Sequence, residues 1–245
     1  MMRIKCIACD VLARPVYLAA ANSPHTVDVV LQRFGLHVTP HQLRDVLQEQ
    51  INAADEAGLY DAVVLAYGLC GKATHGLRAG SMPLVIPRAH DCITLFLGGR
   101  VRYEREFAEC PGTYWYVQDY IERSDTEDVP LSIGAYTAAD ADALCAEYVE
   151  KYGEDNAAYL MEVMHAWQAH YERAAYIDLE IGSGDKVMAR ASDDAQRRGW
   201  RFERLAGDMV LIRRLLAGDW EADFLVLQPG QVVEMSGDEE IIEAG

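Results

Sequence analysis

The feature that most restricts this chain is an alternation in its first hundred residues. Short apolar or β-branched runs stand at residues 3–8, 26–31, 62–67 and 83–86, with longer helix-forming stretches between the first three. A continuous apolar run of this length, bounded by turn residues, reads as a strand covered on both faces. Strands separated by helices need crossover connections, and crossovers build parallel sheets. The stretch 39–57 shows the helical half of the pattern. It opens with Thr39-Pro40, where proline sits in a first turn that has no use for its missing N–H. Leu43, Val46, Leu47, Ile51 and Ala54 then come at helical spacing.

The pattern breaks at Cys110-Pro111-Gly112, ahead of the aromatic segment Tyr114-Trp115-Tyr116, and residues 124–134 are acidic and turn-rich. Beyond them the sequence predicts helices at 138–152 and 155–174, a strand at 176–181 and a helix ending at Arg198. A strand at 201–205, a helix at 208–217 and a strand at 224–227 complete the series. The expected fold class is therefore α/β, with two Rossmann-like lobes of mainly parallel sheet and a cleft between them. The expected division is an N-terminal lobe at 1–110, a linker with the aromatic segment at 111–136, and a C-terminal lobe at 137–245.

Composition narrows the function classes. Half of the 245 residues are hydrophobic (51%), enough for a real core, yet the longest apolar run is far shorter than the ~20 residues of a membrane span. A net charge of −17 repels phosphate backbones and anionic lipid, so neither nucleic acid nor membrane is an expected partner. Arg3, Lys5 and Asp10 interrupt the first apolar stretch, unlike a secretion signal, and the expected location is cytoplasmic. Six cysteines in that compartment are reduced thiols, so they serve metal binding, catalysis or packing.

Ligands of open parallel sheets bind beyond the carboxyl ends of the strands. The first predicted strand runs into Cys6 to Cys9 and Asp10, the second into His37, the third into Cys70, and the fourth into Arg88, His90, Asp91 and Cys92. Four successive strand ends thus carry a thiol or an imidazole. The expected metal set is Cys70, His90 and Cys92, with His37 or Cys6 as a fourth ligand. Such donors suit zinc, iron or an iron–sulfur cluster. Two other readings stand beside it. Cys70 and Cys92 are small buried hydrophobes while Asp91 and Thr94 cap a helix over 92–97, or one of the cysteines is a nucleophile served by His90. Cys6 and Cys9 form a single CxxC, weak by itself. Arg88 is a candidate to hold a carboxylate or phosphate, and Tyr114 and Trp115 offer aromatic surface to a planar ligand such as a corrin. Cys145 falls on an apolar helical face, and the stripe Leu160, Met161, Met164, Trp167 and Tyr171 reads as core. His165 and His170 diverge on their helix.

The stretches YGLCG (67–71) and PRAHDCITLFLG (87–98) resemble the hallmark motifs of a prokaryotic family known only as a domain of unknown function. The resemblance continues through CPGTYWY (110–116), GLH (35–37), GDW (218–220) and FLVLQPGQ (224–231). It implies a setting beside corrinoid-dependent methyltransferases in anaerobic one-carbon metabolism. The expected function is a metal- or iron–sulfur-binding protein of that metabolism, with an enzymatic role left open. A non-catalytic carrier or accessory module for a metal, cluster or corrinoid is the first alternative, with a methyltransferase as partner. A metal-free cysteine-dependent enzyme is the second.

Overall fold

A computed structural model describes residues 1–36, 39–123, 149, 154, 171–237 and 240–245. Nearly all of the helices expected at 138–152 and 155–174, the acidic stretch 124–134, and His37, Cys145, His165 and His170 lie outside the described residues; the last two residues expected in the second helix, Arg173 and Ala174, instead open strand β6 (Arg173–Asp178). The chain is α/β and forms two compact units. The first comprises Met1–Arg105, Leu179–Gly182 and Ala206–Gly245, the second Glu106–Asp178 and Ser183–Leu205.

The first unit is built on a five-stranded sheet. Strands β1 (Arg3–Cys9), β2 (Thr26–Gln32), β3 (Ala62–Ala66), β4 (Leu84–Pro87) and β8 (Phe224–Leu227) stand in the order β2-β1-β3-β4-β8. The first four are parallel, and β8 closes the β4 edge antiparallel. All five residues of β3 are buried, as a central strand covered on both faces requires. Helix α1 (Ala13–Ala21) connects β1 to β2, and α2 (Pro40–Ala57) connects β2 to β3. Pro40 is the first residue of α2, and Leu43, Leu47, Ile51 and Ala54 form its buried stripe. That stripe packs on Ile7, Val63, Leu65, Leu84 and Ile86 from one face of the sheet. Helix α7 (Val210–Ala217) lies beside α1 and packs on β3 and β4. Two short helices, α3 (Cys92–Leu97) and α4 (Arg100–Glu109), come after β4. A hairpin of β9 (Val233–Met235) and β10 (Ile242–Ala244) ends the chain.

The return of residues Ala206–Gly245 to the first unit replaces the continuous C-terminal lobe expected at 137–245. The cause is strand pairing. The apolar run FLVL finds its partner in the open edge of β4, with Leu84 opposite Leu227 and Pro87 opposite Phe224. An unpaired edge beside a buried apolar strand is unfavourable, and β8 covers it.

The second unit has a three-stranded sheet, β5 (Thr113–Tyr116), β6 (Arg173–Asp178) and β7 (Arg201–Ala206), in that order, with β5 and β6 parallel. Helix α5 (Gln118–Arg123) comes after β5. Helix α6 (Asp185–Arg198) lays the small residues Val187, Ala191 and Ala195 against Tyr116, Ala174 and Tyr176. Arg173 is fully buried at the start of β6. Its Nη1 lies 3.0 Å from Glu106 Oε2 and 3.1 Å from Glu203 Oε2, and its Nε donates to Thr113 Oγ1 at 2.8 Å. A buried guanidinium is tolerable only with its hydrogen bonds filled in this way.

Arg173→Met should therefore destabilise the protein by about 3–5 kcal/mol, because Glu106 is left as an uncompensated buried carboxylate. Arg173→Met combined with Glu106→Gln should recover much of that loss. Urea denaturation of both variants checks this, and equal losses in the two would contradict it.

Candidate functional site

The strand order β2-β1-β3-β4 reverses direction between β1 and β3, because the chain leaves β1 toward β2 on one side and returns to β3 on the other. Such a switch point opens a crevice at the carboxyl ends of the two strands. The chemistry-bearing residues of the first unit gather there. The β1–β3 ladder sets Ala8 opposite Ala66, so the next pair along it is Cys9 and Tyr67. Gly68, Leu69 and Cys70 continue from Tyr67, and the loop after β4 supplies His90, Asp91 and Cys92.

Main-chain bonds tie the two loops together. Leu69 N–H donates to Ala89 O at 2.7 Å, and Cys70 N–H donates to His90 O at 3.0 Å. The approach is close enough to require glycine, since a Cβ on Gly68 would lie 2.6–2.8 Å from the backbone of Asp91. Beyond it Cys70, Gly71 and Lys72 take positive φ of 44°, 66° and 75° in succession. The left-handed region costs a non-glycine residue about 1–2 kcal/mol, and strain of this kind collects at functional loops.

Asp91 plays the capping part. Its Oδ1 accepts from Ile93 N–H at 3.0 Å and Thr94 N–H at 3.4 Å at the start of α3, and Tyr103 Oη reaches to 3.5 Å from its Oδ2. Burial pushes the Asp91 carboxyl upward, against the pull of the two helix N–H donors. The helix over 92–97 is thus a capped corner, and Cys92 is its first residue.

Three thiols feel one another in this region. Burial pushes Cys9 up to about 12, and Asp10 adds to the shift. Burial likewise raises Cys70, with Cys9 and Asp91 contributing, and raises Cys92, with Asp91, Cys70 and Cys9 contributing. The Tyr67 hydroxyl is buried and hydrogen-bonded to the Cys9 sulfur. Tyr67, Cys70 and Cys9 all pack in one apolar cluster with Ile7 and Leu65. Among the described residues, no three His, Cys, Asp or Glu side chains stand close enough together to hold a metal ion as they are.

The paired loops bring the backbone of Cys70 to that of His90. The His90 side chain is exposed, with its ring centroid 6.5 Å from that of Tyr103. His37 lies outside the described residues. Cys6 is fully buried in the middle of β1. Strand side chains alternate, so Cys6 and Cys9 point to opposite faces of the sheet. Arg88 is engaged elsewhere. Its Nη1 lies 3.0 Å from Glu240 Oε2 and donates to the carbonyls of Glu240 and Ile242, which fastens the C-terminal hairpin to β4. Tyr114 and Trp115 belong to the second unit. Tyr114 stacks on Trp200 at 5.8 Å between centroids, and Trp115 is buried with the Arg173 guanidinium 5.6 Å from its ring. The GSGD turn at 182–185 leads into α6 as a plain turn, where Gln118 donates to Ser183 O.

The first unit is a doubly wound α/β sheet with Cys9, Cys70 and Cys92 at or just beyond the carboxyl ends of its strands. The chain belongs to the family described as "Protein of unknown function (DUF1638)", which matches residues 31–216. The match includes Cys70, His90 and Cys92 and begins after Cys9 of β1. No curated protein and no solved structure matches the chain. No helix among the described residues is long and apolar enough to cross a membrane.

This geometry has two measurable consequences. Gly68→Ala should cost about 1–3 kcal/mol, as other overpacked sites do, and should speed amide exchange at Leu69 and Cys70. Unchanged protection at those two amides would contradict the close approach. The thiols give a pH dependence of known sign. The folded protein holds their protons to higher pH than the unfolded chain does. The stability they contribute is complete below the ordinary thiol value of 9.0 and is lost as pH climbs from there toward 12. Urea midpoints across that range should fall in the wild type and fall less in Cys9→Ala.

Proposed function

We propose that the protein binds a soft transition metal ion, zinc or iron, or an iron–sulfur cluster, through Cys9, Cys70 and Cys92. The observation that supports this reading is the placement of Cys9, Cys70 and Cys92 at or just beyond the carboxyl ends of β1, β3 and β4, on the switch point of a parallel sheet. Burial and mutual repulsion hold these sulfurs protonated. A bound cation reverses both effects, because it replaces the protons and neutralises the repulsion between thiolates. The donor chemistry therefore fits a soft ion, although these sulfurs do not already stand at gripping distance. Uptake would draw the two stitched loops and the end of β1 onto the ion. His90, on the exposed side of the same turn, and His37 are available in sequence as nitrogen donors.

The same observation weighs against the metal-free nucleophile. A catalytic thiol needs a neighbouring cation or base to lower its pKa, and burial drives all three sulfurs here the other way. The cellular setting we infer is the cytoplasm, in anaerobic one-carbon metabolism. There the chain would act either on a small-molecule substrate or as a carrier of metal, cluster or corrinoid for a methyltransferase. This setting rests on the resemblance of the YGLCG and PRAHDCITLFLG motifs.

The test is metal stoichiometry and melting temperature for the wild type, Cys70→Ser and Cys92→Ser, purified and reconstituted with zinc or with iron and sulfide in the absence of oxygen. The proposal predicts near-stoichiometric metal in the wild type and its loss in both variants with the fold retained. A folded wild type that takes up no metal would overturn it. So would variants that lose about 1–3 kcal/mol of stability, as an unmatched buried hydroxyl costs, but keep their metal.

A further inference from the structure

We infer that Arg44, Lys72 and His75 form an anion site for the phosphate group of a small ligand, at the corner where α2 meets the loop after β3. The site lies within the first unit and does not depend on metal binding. One carbonyl gathers the three residues. Lys72 O accepts from Arg44 Nη2 at 3.0 Å and from His75 N–H at 3.2 Å. The Arg44 guanidinium lies along Gly76, where a Cβ would sit 3.8 Å from its Cδ and Nε and 3.9 Å from its Nη1. Gly76 N–H donates in turn to Val233 O at 2.8 Å, so the C-terminal hairpin holds the loop from its other side. The guanidinium is thus fixed before any ligand arrives, which lowers the ordering cost of binding.

The charge balance points to a ligand. In a chain of net charge −17, arginines elsewhere sit against carboxylates, as Arg3, Arg204 and Arg214 do. Among the described residues, Arg44, Lys72 and His75 have no carboxylate partner. A second observation is independent of charge. Arg44 Nε, Thr74 Oγ1 and His75 Nδ1 are buried polar atoms without a hydrogen-bond partner, and all three belong to this corner. Thr74 is fully buried. Buried polar groups in that state cost stability unless a partner is supplied. A phosphate brings several acceptor oxygens and close to two negative charges. A guanidinium takes such a group through paired hydrogen bonds, and a lysine adds a point charge. The backbone agrees with this reading. Gly71 and Lys72 have successive left-handed φ of 66° and 75°, and successive amides in such turns form anion-binding concavities. Arg44 also stands one turn inside the N-terminus of α2, whose first turn carries no acidic residue to oppose an anion.

The test is calorimetric titration of the full, chelator-treated chain with inorganic phosphate, in a buffer free of other polyvalent anions. The wild type should bind one phosphate per chain. Arg44→Gln and Lys72→Gln should each weaken binding about tenfold or more, as loss of a hydrogen bond to a charged group does. Lys72 is exposed, so its variant should keep the wild-type melting temperature. Lys186→Gln removes an exposed lysine of α6, in the second unit, and should bind as the wild type does. Phenyl phosphate, titrated alongside, assigns the source. Binding tighter than that of inorganic phosphate supports an organic phosphate, and equal binding supports the free ion. A wild type that binds no phosphate would overturn the inference. So would full affinity in both Arg44→Gln and Lys72→Gln, or an equal loss in Lys186→Gln, which would mark a diffuse charge effect. The chelator removes any metal, so the metal reading stands or falls separately.

Discussion

The contact on which the site depends is the approach of the Gly68 backbone to that of Asp91. Any side chain at Gly68 would occupy the space of Asp91's own main chain. With glycine there, two amides of the β3 loop reach two carbonyls of the β4 loop. That pairing extends the parallel strands beyond their ends. It also fixes Cys70 beside the turn that carries His90, Asp91 and Cys92. The left-handed backbone at Cys70 and Lys72 arises from the same constraint, because the chain must turn sharply once it has been pinned. Asp91 answers from the other side by capping α3, so the turn is rigid at both of its ends.

Much of the first unit is legible in the sequence because its strands are apolar on both faces and its helices carry proline or apolar stripes at the right spacing. β1, β2, β3, β4 and α2 fall close to where their patterns place them, and so does the α3 corner. The return of β8 to β4 is not legible. FLVL is a four-residue apolar run, and nothing in such a run says which distant edge it will cover. That pairing, with the packing of α7 on α1, β3 and β4, puts residues Ala206–Gly245 in the first unit. The second unit's sheet is legible as strands at 201–205 and near 176–181. Its buried Arg173 is hidden, because the sequence reading ends a helix at 174 and starts the strand at 176, whereas β6 begins at Arg173 itself.

The site is half legible. Thiols and imidazoles at strand ends point to the right end of the sheet, and Cys70 and the His90–Cys92 turn do come together. Cys6, read as a strand-end residue, lies fully buried in the middle of β1, and Cys9 is the strand's last residue, packed against the cluster that holds Tyr67. Arg88 reads equally as an anion holder or as half of an internal ion pair in so acidic a protein, and Glu240, far along the chain, makes it the second.

The central claim is that sulfurs from three different strand ends share one ion. The most direct measurement is the zinc-edge X-ray absorption fine structure of the zinc-loaded protein. Zinc held by these cysteines would give a sulfur shell at about 2.3 Å that loses amplitude in each of Cys9→Ala, Cys70→Ser and Cys92→Ser. A shell made only of nitrogen or oxygen at about 2.0–2.2 Å, unchanged in those variants, would contradict it.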